Sequence, residues 1–483
     1  MIGKEVPLAV LARVTELPAP DLESRVGHLV ERDILLPRDV DSEASYAFRH
    51  PLTQEVAYAT QLGERRAELH ARVARATIDL YPDRQDELAA VIAQHWEKSD
   101  EDGAVLEAVH WHQRAAHWIG MRNLAEAHRH WQRMRELLAE APETEQTLWL
   151  GLAARAQILN VGWRAGISTA EAANVFAEGR AIAEKSGEPR MLALLLSAYC
   201  AVRGFAGDVK ESLALALEAA RVAEQIDDFE SRIVPRISLV YSYFTVGRLH
   251  EALAETEELI AQVPNENLRF GAAILGESPY LFLLWFRGML RSCIGQFAEA
   301  EQDFDRAVTL GREHGELEIV CSVHVSAALT SRRIGDPIAA TEHARRALEL
   351  AELSGSSLRR VYSSWAAGHA ALARGDAGEA VECLERTNAI ASDKRTGLSE
   401  KAIFVADLAT AQLAAGRVND ARATAASAVD IALRQGTRYF EGIARLALAS
   451  ALTHGKSAAD HDAAKLELDR ALAIFREVRT PPY

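Results

Sequence analysis

The chain has 483 residues, 49% hydrophobic and 25% charged, a balance ordinary for a folded protein. A formal net charge of −15 offers no basic face to phosphates or anionic lipid, so DNA and membrane binding are not expected. The longest apolar run, Tyr280 to Phe286, is stopped by Arg287, well short of the ~18 residues a membrane helix needs. The N-terminus lacks a basic region followed by an apolar core. Cys200, Cys293, Cys321 and Cys383 are scattered without CxxC spacing, so they read as reduced, buried small hydrophobes and the location as cytoplasmic.

Residues 1–60 are predicted to form a small winged-helix-like unit. An apolar helix runs from Leu8 to Leu17 and ends at Pro18-Ala19-Pro20. Asp21 reads as the N-cap of a second helix with Leu22, Val26, Leu29 and Val30 on one face. Two β-prone pieces, Ile34–Leu36 and Tyr46–Phe48, flank the polar turn Arg38–Ser45. The second helix carries Asp21, Glu23, Arg25, Glu31, Arg32 and Asp33, which is acidic to neutral, whereas a DNA-reading helix needs net positive charge. A structural or coupling role is therefore expected of this unit.

Residues 61–104 read as a helical linker, with helices at Arg65–Leu80 and Leu88–Lys98. Between residues 110 and 130 come His110, His112, His117, His128 and His130, interleaved with Trp111, Trp118 and Trp131. A helical metal site needs ligands three or four residues apart, and His110 and His112 point to different faces. Neither a metal nor any other cofactor is expected.

From residue 105 to 483 the sequence repeats. Gly207, Gly247, Gly295, Gly335, Gly375 and Gly416 recur about every 40 residues, with one longer step of 48 between Gly247 and Gly295. Five residues after each stands a small residue: Ser212, Ala252, Ala300, Ala340, Ala380 and Ala421. Each unit reads as two antiparallel helices, the glycine closing the first and a small side chain letting the second cross it. In Gly335-Asp336-Pro337 the proline opens the second helix. Lys185-Ser186-Gly187, Asp227-Asp228, His314-Gly315, Ser354-Gly355 and Gln435-Gly436 mark the turns between pairs. These units resemble tetratricopeptide (TPR) repeats with longer helices. The fold class implied is all-α, a right-handed α-solenoid of TPR-like helix pairs, and such arrays usually present surfaces to partners.

The long step inserts residues near Pro264 to Pro279 ahead of a helix capped by Ser278 and opened by Pro279. One reading of that helix is buried core. The other is a platform on the concave face for a protein partner or small effector. In it Tyr280, Phe282, Trp285 and Phe286 supply the surface, and Arg287 and Arg291 the polar anchors. His454-Gly455-Lys456-Ser457 contains the GKS of a phosphate loop, but Ser450 stands where the loop needs its first glycine and a helix precedes it. No GxSxG or dinucleotide fingerprint occurs, and no enzyme activity is expected of this chain.

Tyr46-Ala47-Phe48-Arg49-His50-Pro51-Leu52-Thr53-Gln54-Glu55-Val56-Ala57-Tyr58 resembles the F-R/K-H-x-L-x-x-E-x-A-Y signature that follows the ATPase module of large bacterial signalling proteins. Arg65 to Ala74 and Ala93-Gln94-His95-Trp96 continue the pattern, and Ile2-Gly3-Lys4-Glu5-Val6 is similar to the I-G-R-x-F that opens it. That family includes class III adenylate/guanylate cyclases joined to a STAND-type ATPase and helical repeats. It also includes large activators ending in a LuxR-type DNA-binding domain. The resemblance implies a regulatory module, with Phe48, Arg49, His50, Glu55 and Tyr58 as a motif coupling the solenoid to an ATPase or cyclase. The family's Walker motifs, cyclase residues and LuxR-type helix-turn-helix have no counterpart in the sequence, so none of those residues carries over. A stand-alone TPR-like scaffold and a fragment of a transcription regulator are the alternatives. Arg49 and His50 are expected to pack the hairpin against the Leu52–Tyr58 helix rather than to act on a substrate.

Overall fold

The computed structural model describes residues 5–40, 43–165, 167–263, 267–269, 277–455 and 457–482. The chain divides into two compact units, residues 1–154 and 155–483.

The first unit opens with β1 (Glu5–Pro7), α1 (Leu8–Thr15) and α2 (Ala19–Glu31). Pro20 supplies the helical φ of the first turn of α2, so that helix begins before Asp21, which lies inside the turn and does not cap it. Strands β2 (Leu35–Val40) and β3 (Glu43–Phe48) complete an antiparallel sheet of order β1-β3-β2, with Val6 opposite Tyr46 and Leu36 opposite Ala47. The hairpin is thus as expected, and β1, only three residues long, is an addition to it.

Helices α3 (Pro51–Ala59), α4 (Gly63–Leu80), α5 (Gln85–Trp96), α6 (Ala104–Ile119) and α7 (Leu124–Glu140) follow. Val10 and Val14 of α1 pack on Val73 and Ala76 of α4. Ala71, Ala74, Ile92, Trp96, Ala108 and Trp111 form a second core under α4, α5 and α6. The histidines here meet in pairs: Nδ1 of His70 is 2.8 Å from Nδ1 of His95, and Nδ1 of His112 is 2.8 Å from Nδ1 of His130. Each contact needs one donor and one acceptor nitrogen, so one ring of each pair keeps an unprotonated Nδ1. His112 also meets Glu97 Oε1 through Nε2 at 2.7 Å. Among the described residues, no group of three or more His, Cys, Asp or Glu side chains could hold a metal ion.

Helix α8 (Glu145–Ala165) pairs with α9 (Thr169–Ser186), Arg155 of the one meeting Glu178 of the other at 2.9 Å. The pairs that follow are α10 (Pro189–Phe205) with α11 (Val209–Ala223), α12 (Phe229–Val246) with α13 (Leu249–Gln262), and α14 (Pro279–Cys293) with α15 (Phe297–Glu313). Next are α16 (Leu317–Ile334) with α17 (Pro337–Ser354) and α18 (Ser357–Arg374) with α19 (Ala377–Lys394). The last are α20 (Lys401–Ala414) with α21 (Val418–Gln435) and α22 (Arg438–Leu452) with α23 (Ala458–Glu477). First helices are packed on both sides: every residue from Ile319 to Ser331 of α16 is buried. Second helices bury a narrower stripe, which in α17 is Ala340, Ala344, Ala347 and Ala351.

The recurring glycines make this geometry possible. Gly335 ends α16 at φ +79° and Gly375 ends α18 at φ +80°, a left-handed conformation that costs other residues about 1–2 kcal/mol. Asp336 then caps α17, accepting from the amides of Ile338 (3.0 Å) and Ala339 (2.9 Å). The small residues five positions on are all buried at the helix crossing, at 2% exposure for Ser212 and 0% for Ala252, Ala300, Ala340, Ala380 and Ala421. Ser278 caps α14 as expected, accepting from the amide of Leu281. Ser457 caps α23 in a reciprocal capping box with Asp460 and Gly455 follows the end of α22, so these two residues of the GKS motif lie between helices; its Lys456 lies outside the described residues. Most of the insertion, residues 264–266 and 270–276, also lies outside them.

The second unit winds until it meets itself. A Cβ on Gly247 would stand 2.8 Å from the backbone nitrogen of Tyr439, one on Gly207 3.4 Å from Leu398 Cβ, and one on Gly295 3.3 Å from Pro481 Cγ. The same atom on Gly335, Gly375 or Gly416 would meet nothing within 4 Å. The first three glycine turns are therefore roofed by segments far later in the chain: Leu398 just ahead of α20, Tyr439 at the start of α22, and Pro481 after the end of α23. His250 Nε2 reaches the carbonyl of Arg479 at 3.1 Å, 229 residues away, on the same seam.

Candidate effector lumen

Because the solenoid closes on itself, the inner faces of its first helices enclose a lumen lined by α12, α14, α16, α18, α20 and α22. Repeat register brings the lining together: Trp285, Val325 and Trp365 each stand ten residues before a turn glycine, and all three face the cavity. Phe244 and Phe286 meet edge to face at 5.6 Å, and Phe244 meets Phe440 across the lumen at 5.7 Å. The space left is about 80 Å³. That is room for a few waters, against the ~300–1,000 Å³ of ordinary ligand pockets. The concave face is thus filled largely by the protein's own aromatic rings.

The rings carry polar edges, and each edge shown here has a partner. Trp285 Nε1–H donates to Ser326 Oγ at 2.9 Å. Across the lumen the Tyr241 hydroxyl donates to Glu400 Oε1 at 2.8 Å, 159 residues away, and lies 2.8 Å from Ser399 Oγ. Ser399 donates to Glu400 Oε2 at 2.6 Å, and Tyr362 bonds the same carboxylate. Burial pushes the Glu400 carboxyl above its usual range, and the hydroxyl donors offset only part of that. Burial, reinforced by the charge of Glu400, also pushes both tyrosine hydroxyls up, so they act as donors. This cluster ties α12 to the start of α20 and forms a polar latch in an apolar lumen.

A second network lies beside it. Arg332 Nη1 donates to His369 Nδ1 at 3.2 Å, which fixes the proton on Nε2, and Nε2–H donates to Asp407 Oδ2 at 2.9 Å. Trp365 Nε1–H donates to the same Asp407 oxygen at 2.7 Å. Burial pushes the His369 imidazole down, and a proton on Nδ1 would face the Arg332 guanidinium, so His369 is neutral. Asp407 stays ionised: burial works against its charge, but His369, Arg332 and the Trp365 donor outweigh it. The arrangement is a set of satisfied buried polar groups, with no nucleophile held by a base.

The aromatic helix seen in the sequence lands on this lumen in part. Trp285 and Phe286 line the cavity; Phe282 stacks on Phe286 at 5.4 Å, and Tyr280 is buried in the first turn of α14. Arg287 and Arg291 occupy the opposite side of α14. There the Arg287 guanidinium binds Asp303 through Nε (3.0 and 3.1 Å), and Arg291 binds Asp303 (3.0 Å) and Glu257 (2.9 Å). They neutralise a buried carboxylate between α14 and α15. The cations on the lumen are instead Arg333 and Arg359, the latter paired with Glu318 and bonded to Ser322. Tyr241, Tyr362, Ser399, Glu400, His369 and Asp407 were missed by sequence reading; aligning the first helices on their glycines is the signal that points to their faces.

In the first unit, Arg49 forms an ion pair with Asp33, and His50 sits at the N-cap of α3. Phe48 ends β3 and is half-buried, while Glu55 is exposed. The Tyr58 hydroxyl lies 3.1 Å from His70 Nε2, with Arg66 over its ring at 5.1 Å. None of the α3 side chains is buried, and Leu52 and Val56 are 69% and 56% exposed.

No protein-family model matches the chain, and no curated protein matches it in sequence. Among solved structures it is similar to a Rap protein complexed with Competence and Sporulation Factor, at 11% identity and a TM-score of 0.57, over 77% of this chain and 99% of that one. Aspartyl phosphate phosphatase F from Bacillus subtilis aligns at 13% identity and 0.46, over 77% and 94% of the two chains. A STAND protein with a tetratricopeptide repeat sensor from Pyrococcus horikoshii aligns at 12% and 0.39, over 98% and 62%. The chain is a TPR-like α-solenoid. At these identities the likeness is one of fold. None of the helices among the described residues is long and apolar enough to cross a membrane.

Proposed function

We propose that this chain is a regulatory, protein-binding module of a signalling protein, in which an effector or partner opens the aromatic lumen. The latch joining Tyr241 to Ser399 and Glu400 carries the reading. It would hold the solenoid shut across the lumen, beside rings that would be exposed on opening. Trp285 and Phe286 would then meet the effector, with Tyr280 and Phe282 backing them. Arg287 and Arg291 would hold α14 in place. The Rap protein of similar fold is complexed with a named factor, which agrees with a binding role for this fold.

The first unit supports coupling. Its two helices and three-stranded sheet would serve as the winged-helix-like unit, and the Phe48, Arg49, His50, Glu55 and Tyr58 motif would act where β3 passes into an exposed α3. A bacterial STAND-type ATPase or a class III cyclase is the module this motif would contact, in the cytoplasm; the family resemblance suggests it. The division of labour would be 1–60 for coupling, 61–104 as linker and 105–483 for binding. The chain itself would hydrolyse no ATP. The test supplies an ATPase or cyclase half and measures its rate with the wild-type chain and with Phe48→Ala or His50→Ala. A changed rate lost in both variants supports coupling. A rate indifferent to the chain leaves a stand-alone TPR-like scaffold.

A further inference from the structure

A larger cavity, about 650 Å³, opens on the seam where the second unit meets itself. One wall comes from the end of α8, the start of α9 and the end of α10, through Trp163, Arg164, Ile167 and Phe205. The other comes from the α19–α20 turn, through Asp393, Lys394, Arg395 and Thr396. These walls are neighbours only because the solenoid has closed. The volume lies within the range of ordinary small-molecule sites, unlike that of the lumen.

The lining divides by chemistry. Ile167, buried Val202 and the edges of Trp163 and Phe205 make an apolar floor. The charges are Arg164, Lys394 and Arg395 against Asp393 alone, a local excess of cations in a chain of net charge −15. Arg164 is held rigidly: its guanidinium lies 3.9 Å over the Trp163 ring and Nη1 donates to the Asn160 carbonyl at 3.2 Å. Its counter-ion Glu277 stands off at 3.6 Å, too far for a hydrogen bond. Lys394 pairs only with its exposed neighbour Asp393 among the ion pairs of the described residues, at 2.9 Å. Arg395 ends α19 at φ +49°, a left-handed conformation unfavourable for arginine, and thereby sets its exposed side chain at the cavity mouth. The first turn of α9, Thr169 and Ala170, adds the positive end of a helix.

We propose that this seam cavity binds a small amphipathic anion, a carboxylate or phosphate head on an apolar body. The head would bridge Arg164 on one wall and Lys394 with Arg395 on the other, and the body would lie on Ile167, Val202 and Phe205. Since the walls belong to successive windings, occupancy favours the closed solenoid. The site also has a physical line to the latch. Trp163 stacks on Phe205 at 4.4 Å, Phe205 meets Tyr241 at 5.3 Å, and Tyr241 bonds Glu400.

The test is calorimetric titration of the full chain with two probe pairs. One is acetylated leucyl-phenylalanine with a free carboxylate against its amide; the other is AMP against adenosine. Tighter binding of the charged member identifies a peptide terminus in the first pair or a phosphorylated metabolite in the second. The double variant Lys394→Glu, Arg395→Asn is surface-exposed, and asparagine tolerates the left-handed turn, so the fold is kept. It should weaken the charged probe about tenfold or more, the scale of losing charge-assisted bonds. Lys465→Glu, an exposed charge change on α23, should not. Equal affinity for charged and neutral members in both pairs, no binding by any probe, or wild-type affinity in the double variant overturns the proposal.

Discussion

Gly247 and Gly375 occupy the same position in two repeats, and replacing each with alanine separates the turn from the seam. Both are left-handed, at φ +89° and +80°, so both substitutions cost about 1–2 kcal/mol for the backbone alone. At Gly375 nothing stands within 4 Å of the new methyl group. At Gly247 it would lie 2.8 Å from the amide nitrogen of Tyr439, which the backbone of α22 must retreat to accommodate. Overpacking of that kind adds about 1–3 kcal/mol. Gly247→Ala should therefore lower stability by roughly 2–5 kcal/mol and Gly375→Ala by about 1–2 kcal/mol. Urea unfolding measures the totals, and hydrogen–deuterium exchange locates the difference. Faster exchange is expected at Arg438–Phe440 in Gly247→Ala and not in Gly375→Ala. Equal destabilisation with unchanged exchange at Arg438–Phe440 would refute a closed seam.

Three more outcomes follow from the buried polar groups. Tyr241→Phe removes the latch donor from Glu400 and should cost about 1–3 kcal/mol, seen as a lower urea midpoint and a larger radius of gyration by X-ray scattering. Asp407→Ala leaves the Arg332 charge without its buried counter-ion and two donors unpaired, and should cost about 3–5 kcal/mol by the same denaturation, more than Tyr241→Phe. Burial lowers His70 and His324 to about 4, so the unfolded chain binds their protons first as pH falls. Stability from these groups is complete above pH 6.5 and is lost between there and about pH 4, and a paired His70→Gln, His324→Gln variant should show a flatter acid limb in thermal melts.

The sequence shows the repeat well because the repeat is local. A left-handed turn needs glycine, a crossing needs alanine and a cap needs Asp336 or Ser278, and each requirement is met within a few residues of its cause. The aromatic character of α14 is equally visible. Its two arginines misdirect the eye, since their buried partner Asp303 lies on the next helix and nothing in a linear reading ties them to it. The closure is the hardest part to see. Gly247 meets Tyr439, and Tyr241 meets Glu400, through the accumulated twist of several repeats, so no short window encodes either contact. The latch and the seam cavity both arise from that accumulated twist.

Closure of the second unit is the claim from which the lumen, the latch and the seam cavity all follow. Spin labels at Lys210→Cys and Arg434→Cys report on it directly by electron–electron double resonance. Both sites are exposed, the four native cysteines are buried, and Lys210 Cε approaches the Cβ position of Gly436 to 2.8 Å across the seam. A single narrow, short distance is predicted for the free chain. A broad distribution centred at long distance would show an open solenoid and contradict the account.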